Sequence, residues 1–379
     1  MKKACIIFPR LSNLGGAENL IISVMDVMKR QGWYIILISD GVPKRGVSKS
    51  LFGIDLYKTI DKWYKLPTSK LSNIINDIKV YQKEKTMNKI EEIIKKENVN
   101  LIMVSQANAP KINSKIRKTF IVWCPFSRDM LKKEKKEKKT TKWHSSLHKN
   151  TIECPSDYSL ISISEWVQKK VTGFWSCNSK ILYPSCDINK TQTNLQKKKN
   201  WVVTLSRFSF FKHLHVALEI AKKLPELEFH FIGIARTPKN KLYLNQLKKN
   251  ATKNCFFHVN VSQKEKNEIL KKGKYGLHLT GYKMPLDKYM LQEHFGIVIA
   301  EMMSYGCIIQ HYNAGFFPEY VLDKTQTFND AQECINNIKF FEKNTNITKK
   351  TSEQNFKKSQ LYSNENFEKN LKKILDQIK

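Results

Sequence analysis

The chain has 379 residues, enough for two domains at about 150 residues each. Its content of 41% hydrophobic and 11% aromatic residues supports packed cores and excludes a disordered chain. Against 34 acidic residues stand 66 Lys and Arg, a net charge of +32. That field suits nucleic acid, anionic lipid or phosphorylated substrates, but the lysines are spread along the whole chain, as a plain solvated surface would also have them. No run of about 18 consecutive apolar residues occurs, so no transmembrane helix is expected. Met1-Lys2-Lys3 resembles the start of a signal peptide, yet the apolar run after it is short and stops at Pro9-Arg10, which reads as a first strand. The eight cysteines (Cys5, Cys124, Cys154, Cys177, Cys186, Cys255, Cys307 and Cys334) form no C-x-x-C pair. They read as reduced and mostly buried, in a cytoplasmic protein. No D-x-D occurs either, so no magnesium or manganese site is expected.

In chain order, residues 4–8 are a short apolar run suited to a buried parallel strand. The turn Ser12-Asn13-Leu14-Gly15-Gly16 follows. Leu20, Ile21, Val24, Val27 and Met28 then recur at helical spacing up to Gly32, a C-cap, and residues 34–38 give a second strand. Strand, glycine turn, helix and strand open a doubly wound α/β domain. The Gly15-Gly16 turn can bring backbone N–H groups to a phosphate, but it is not G-x-G-x-x-G and serves equally as a tight turn. Residues 40–80 suggest only a strand near 54–56 and loops. A helix over 84–97 presents Met87, Ile90, Ile93 and Ile94. A strand over 101–104 ends at Ser105-Gln106-Ala107-Asn108, and another over 120–123 ends at Cys124-Pro125-Phe126-Ser127-Arg128-Asp129. Strand ends line the crevice of an open α/β sheet, which makes the polar residues there candidate acceptor contacts. The lysine-rich run 132–142 is either a contact for anionic lipid or a polyanion, or a solvated helix or loop. Residues 159–163 form a strand, Ser164-Glu165-Trp166 starts a helix through Trp175, and 180–183 form a last strand. The Asn-, Gln- and Lys-rich stretch 188–199 reads as a linker.

The second half repeats the rhythm. A strand over 201–205 leads into Ser206-Arg207-Phe208-Ser209-Phe210-Phe211-Lys212 and a helix over 213–224. Strands over 228–232, 255–259 and 276–279 alternate with helices near 240–250 and 262–272. Next comes Glu293-His294-Phe295-Gly296-Ile297-Val298-Ile299-Ala300-Glu301, in which two acids bracket an aromatic residue, a glycine and an apolar run. With a helix starting near Phe295, Glu293 precedes its N-terminus and Glu301 lies two turns in, about 12 Å along at helical rise. That is the reach from the sugar to the ribose of a nucleotide-sugar, with first-turn N–H groups facing the oxygens between. An ordinary buried helix with two solvent-facing glutamates fits as well. A strand over 307–310, the turn Tyr312-Asn313-Ala314-Gly315 and, from about 352, an amphipathic stretch with Phe356, Leu361, Phe367, Leu371 and Leu375 complete the chain.

Arg207 and Lys212 follow the first strand of the second domain, beside a helix start. Paired cations there suit a diphosphate leaving group, whose developing charge they stabilise. Leu205-Ser206-Arg207-x4-Lys212 followed by Glu293-His294-Phe295-Gly296-x4-Glu301 resembles the family-4 retaining glycosyltransferases. Gly15-Gly16-Ala17-Glu18 is similar to their N-terminal glycine turn. Within that family the nearest resemblance is to the α-mannosyltransferases of lipid-linked oligosaccharide assembly and their archaeal relatives. It rests on Cys124-Pro125-Phe126-Ser127-Arg128-Asp129-Met130-Leu131, Ser164-Glu165-Trp166, Ile181-Leu182-Tyr183-Pro184-Ser185-Cys186 and Glu293-His294-Phe295-Gly296-Ile297.

The resemblance implies an α/β chain of GT-B fold, two Rossmann-like doubly wound domains facing each other across a cleft. An acceptor-side domain would take 1–190 and a nucleotide-sugar-binding domain 191–350, with a C-terminal helix over 351–379 packing back toward the first domain. Arg207 and Lys212 would bind the donor diphosphate, and Gly15 and Gly16 would approach it. Glu293 would meet the transferred hexose, and Glu301 the ribose. The N–H groups of Phe295, Gly296 and Ile297 would hold sugar hydroxyls and phosphate. Gln106, Trp123 and Arg128 fall on the acceptor side. The donor would be a nucleotide-diphosphate sugar, GDP-mannose in the first place, and the acceptor a glycan or glycolipid. The family works without a metal or other cofactor.

Two positions depart from the pattern: Trp123 stands where the mannosyltransferases usually carry a histidine, and Ala314-Gly315 replaces Gly-Gly. Eukaryotic members have an N-terminal membrane anchor and this sequence shows none, so any peripheral contact with an anionic membrane would run through basic surface. Two other functions stay open on the sequence, a basic nucleic-acid-binding protein and an impaired GT-B domain kept as a binding subunit. No nucleic-acid motif accompanies the charge, and the intact Arg207, Lys212, Glu293 and Glu301 set favours an enzyme.

Overall fold

The chain divides into two compact units, one of Met1–Ser185 with Phe367–Lys379, the other of Cys186–Asn366. The structure, a computed structural model, describes all residues except 10, 12–13, 67–83, 107–108, 126–153, 286–287, 318–320, 322 and 379. Of Gln106 it describes the backbone. Arg128 and the lysine-rich run 132–142 lie outside the described residues.

The first unit runs β1 (Lys3–Ile7), α1 (Gly16–Arg30), β2 (Tyr34–Ser39), α2 (Val47–Phe52), α3 (Leu56–Thr59), β3 (Lys62–Lys65), α4 (Glu84–Glu97), β4 (Leu101–Gln106), β5 (Arg117–Val122), β6 (Ser159–Ser162), α5 (Glu165–Trp175) and β7 (Lys180–Ile181). The strands form a parallel sheet in the order β3-β2-β1-β4-β5-β6-β7. Residues 4–7 and 35–38 are fully buried on both faces, which explains why these strands read as unbroken apolar runs. Helix α1 turns Leu20, Ile21, Val24 and Met28 inward, and Gly32 follows its end at φ 82°, the left-handed conformation that glycine takes without steric cost. No strand forms at 54–56. There the Asp55 carboxylate accepts from the Tyr57 amide and starts the short helix α3. The cysteines are not all reduced either: Cys154 and Cys177 are joined in a disulfide, while Cys5, Cys124, Cys186, Cys255, Cys307 and Cys334 remain thiols.

The second unit runs β8 (Lys199–Leu205), α6 (Leu214–Lys223), β9 (Glu228–Gly233), α7 (Pro238–Lys249), β10 (Cys255–Val259), α8 (Gln263–Lys272), β11 (Gly273–His278), α9 (Ile297–Ser304), β12 (Ile308–Tyr312), β13 (Thr327–Phe328), α10 (Ala331–Lys343) and α11 (Thr345–Ser359). Its parallel sheet has the order β10-β9-β8-β11-β12-β13. Val202, Phe229, Phe231, Tyr275 and Leu277 form one core with residues of α6, α7 and α10. On the opposite face Gly276 lets α9 approach, because a Cβ there would lie 2.9 Å from the Met302 sulfur. The strand order reverses at β8 and β11. In an open α/β sheet such a switch point leaves a crevice beyond the strands' carboxyl ends, where ligands bind.

The division differs from boundaries at 190/191 and 350/351 for a physical reason. Helix α11 buries a polar face, with the Ser352 hydroxyl donating to the Gly306 carbonyl at 2.7 Å and the Asn355 amide to the Cys307 carbonyl at 2.8 Å. These bonds tie α11 to the second unit. The final helix, α12 (Asn364–Gln377), buries Phe367, Leu371 and Leu375, whereas Leu361 is exposed. Arg30 pairs with Glu368 and the Arg117 guanidinium donates to the Ile378 carbonyl, fastening the end of the chain to the first unit. Among the described residues no helix is long and apolar enough to cross a membrane.

Phe231 is fully buried and stacks on Phe257 at 4.9 Å. Phe231→Ala is expected to cost about 3–5 kcal/mol of stability, read from guanidinium unfolding. A loss under about 1 kcal/mol would contradict this account of the core.

Candidate active site

The crevice of the second unit is built first from the loop after β8. Ser206 and Phe208 donate backbone hydrogen bonds to the Ile232 and Ile234 carbonyls, each at 3.0 Å, and fully buried Phe208 anchors the segment. Glycine at 233 is required for that strapping, since a Cβ there would sit 2.0 Å from the Ser206 oxygen. Arg207, between the two anchors, projects exposed to solvent. A single turn over Phe210–Lys212 then leads through His213, at φ 49°, into α6. This turn directs Lys212 back over the sheet. Its Nζ donates to Thr280 Oγ1 at 2.9 Å and lies 3.3 Å from Glu293 Oε2. Thr204, Leu205, Ser206, Lys212, Leu214, Leu277, His278, Leu279 and Thr280 line one small pocket at the switch point.

Glu293 reaches this point from the segment between β11 and α9. Its carbonyl accepts from the Phe316 amide at 2.8 Å, and a Cβ at Gly315 would lie 2.2 Å from that carbonyl. Gly315, at φ 78°, is therefore the member of the Ala314-Gly315 pair that the close approach requires. The carboxylate also meets His278 Nε2, at 2.8 Å from Oε2. Burial alone would raise the Glu293 pKa, but the Lys212 ammonium and the His278 hydrogen bond outweigh it and hold the group well below the ordinary carboxylate range. Glu293 is an anion at neutral pH. Burial keeps the His278 and His294 pKa values down, so both rings stay neutral there.

The helix begins later than the spacing suggests. Gly296 is its left-handed cap at φ 88°, α9 starts at Ile297, and the first helical hydrogen bonds run from Ile299 and Ala300 to the Gly296 carbonyl. Glu301 is thus little more than one turn in. The Phe295, Gly296 and Ile297 amides precede those bonds, while the Phe295 side chain is a core anchor stacked on Phe316 at 5.4 Å. Glu301 belongs to a separate ion pair. Lys266 Nζ lies 3.0 Å from Glu301 Oε2 and 3.6 Å from Asp187 Oδ2. Burial raises the Glu301 pKa against the pull of Lys266.

The structure therefore brings Lys212 to Glu293 and leaves Arg207 exposed. In the first unit the order of its sheet reverses at β1 and β4. Gly15 caps α1 and Gly16 begins it, after β1; Gln106 ends β4. Trp123, just past β5, has its indole N–H donated to Ser105 Oγ at 2.8 Å. Sequence reasoning missed His278, Thr280, Lys266 and Asp187. A histidine or threonine at a strand end carries no spacing signal, and Lys266 resembles any other helix lysine until the fold buries it. Among the described residues no group of three or more His, Cys, Asp or Glu is placed to hold a metal ion.

Comparison with known proteins identifies the fold. A glycosyltransferase from Rickettsia africae superposes with a TM-score of 0.67 at 14% identity, over 100% of this chain and 98% of the other. The Anabaena protein HepE, solved in complex with UDP, gives 0.68 at 14% identity, over 99% and 100%. The chain has the GT-B glycosyltransferase fold. Residues 186–358, most of the second unit, match the family model of the glycosyl transferases group 1. In sequence, a Xenopus laevis protein described as GDP-Man:Man(3)GlcNAc(2)-PP-Dol alpha-1,2-mannosyltransferase is 26% identical over 179 residues, 42% of this chain and 35% of that one. The matched stretch spans about a third of the length of such curated relatives.

The lowered pKa of Glu293 sets a pH window. Its ion pair contributes stability above the ordinary carboxylate value of 4.5 and loses it as the pH falls through the lowered value. Lys212→Met is expected to cost about 2 kcal/mol near neutral pH, a gap that narrows as calorimetric scans move below pH 4.5. A gap independent of pH would contradict the pairing.

Proposed function

We propose that this protein is a retaining hexosyltransferase that moves mannose from GDP-mannose to a glycan or glycolipid acceptor without a metal ion. The observation that carries this reading is the meeting of Lys212 with Glu293 at the switch point of a glycosyl transferases group 1 domain. Mannose and GDP are favoured because the relatives that match in sequence are described as using GDP-Man.

In this reading Lys212 and exposed Arg207 neutralise the donor diphosphate, the task a divalent cation would otherwise perform. Glu293, held anionic, accepts hydrogen bonds from hydroxyls of the hexose. The Phe295, Gly296 and Ile297 amides hold sugar hydroxyls and phosphate at the start of α9, where the helix dipole favours negative charge. Glu301 takes the ribose hydroxyls, with Lys266 fixing its carboxylate. On the resemblance alone, Gly15 and Gly16 are assigned to the donor, and Gln106, Trp123 and Arg128 to the acceptor.

The reaction breaks the bond from the anomeric carbon to the diphosphate oxygen. It forms the bond to the acceptor oxygen on the same face. The acceptor proton passes to the departing phosphate oxygen, so no separate protein base is needed. The protein would work in the cytoplasm, in peripheral contact with anionic lipid where its acceptor is membrane-bound.

A panel of nucleotide-diphosphate sugars, incubated with the protein in EDTA, tests this reading. GDP-mannose is expected to be turned over with an α-configured product, and Glu293→Ala and Lys212→Ala each to lose about a hundredfold or more in rate with unchanged circular dichroism. No hydrolysis or transfer from any donor, or full rate in both variants, would overturn it.

A further inference from the structure

The side chain that touches Glu293 most closely is one that the family resemblance does not assign. His278 ends β11 and is 3% exposed, with Nε2 at 2.8 Å from Glu293 Oε2. A carboxylate only accepts, so Nε2 carries the ring proton. Among the described residues both hydrogen bonds to this carboxylate fall on Oε2, one from His278 and the longer one from Lys212. The imidazole plane is itself held. His278 stacks on His311 at 5.1 Å and 16°, and His311 stacks on Phe317 at 4.2 Å and 5°. His311 and Phe317 are fully buried, and His311 Nδ1 is bonded to the Tyr312 carbonyl. A three-ring stack thus fixes the direction of a single N–H bond.

We propose that His278 is the positioning residue for Glu293: clamped by His311 and Phe317, it pins Oε2 and thereby presents Oε1 to the transferred sugar. This rests on the assignment of Glu293 to the hexose. The division of labour between the two donors follows from their chemistry. The Lys212 ammonium is shared with Thr280 and carries a full charge for a diphosphate, and its contact with Glu293 is the longer one. His278 is rigid and stays neutral, because burial disfavours its charged form and Lys212 adds repulsion, against the opposing pull of Glu293. Burial likewise holds the His311 pKa well below its ordinary value, so this ring too is neutral. A neutral donor orients Glu293 without cancelling the negative charge that the sugar hydroxyls meet. When Lys212 turns to the diphosphate, the His278 bond is the one that keeps the carboxylate in place.

Three substitutions separate positioning from packing. His278→Phe keeps ring volume and stacking but removes the donor. His278→Asn offers an amide too short to reach, and His278→Gln restores an N–H near the position of Nε2. The readout is turnover of GDP-mannose, or of whichever donor the panel identifies, as a function of pH, with Glu293→Gln alongside. His278→Phe and His278→Asn are expected to lower kcat about tenfold to a hundredfold with little change in KM. The acid limb of kcat/KM, set by Glu293, should move up by about one pH unit as that carboxylate loses its hydrogen bond. His278→Gln should recover most of both. Wild-type kcat and an unmoved acid limb in His278→Phe would overturn the proposal, as would equal impairment of all three variants with an unmoved limb. If His278→Phe does not fold, the Asn and Gln variants decide alone. A fully active Glu293→Gln overturns the site reading and this inference with it. An inactive Glu293→Gln beside a fully active His278→Phe overturns only the inference.

Discussion

The carboxylate of Glu293 is the constraint around which the second unit is arranged. It is mostly removed from water yet held as an anion, which costs desolvation that only close partners offset. The sheet supplies those partners from separate strands. His278 ends β11, Lys212 arrives from the loop after β8, and the Gly315-Phe316 backbone after β12 grips the main chain of Glu293. Glycines at 233, 296 and 315 stand where a β-carbon would collide with the structure that holds these groups. The strand order that places β8 beside β11 is therefore what brings these groups together.

Charge is used differently inside the site and outside it. The excess of 32 positive charges is spread over the chain, whereas in the crevice each buried or half-buried lysine answers a carboxylate: Lys212 with Glu293, Lys266 with Glu301 and Asp187. The two glutamates of the motif consequently differ in character. One is held well below its ordinary pKa and the other is raised above it. A strongly anionic group and a more weakly acidic one set apart with its own lysine suit the two different tasks proposed for them.

Much of the architecture was legible in the sequence because parallel strands covered on both faces leave unbroken apolar runs, and helices α1 and α6 leave a regular stripe. Arg207, Lys212, Glu293 and Glu301 stood out as a motif, and of these the structure brings Lys212 to Glu293, while Glu301 pairs with Lys266 and Arg207 stays exposed. What escaped was set by long-range packing. His278 and His311 meet only because β11 and β12 are neighbours, and Lys266 finds Glu301 only once the fold brings α8 to α9. The start of α9 was misplaced because Gly296 adopts a left-handed conformation that spacing does not reveal. The short helices α2 and α3 depend on local capping by Asp55 and on left-handed glycines at 46 and 53, not on periodicity. The Cys154–Cys177 disulfide joins residues with no pairing signature in their spacing.

The central claim is that Lys212, poised between Thr280 and Glu293, receives the donor diphosphate. Calorimetric titration of the full chain with GDP and with GDP-mannose, in wild type and in Lys212→Met, measures this directly. The account predicts that both ligands bind the wild type and that Lys212→Met weakens each by about tenfold or more, a loss of about 1.4 kcal/mol. Equal affinity in the two proteins would place the diphosphate elsewhere and contradict it.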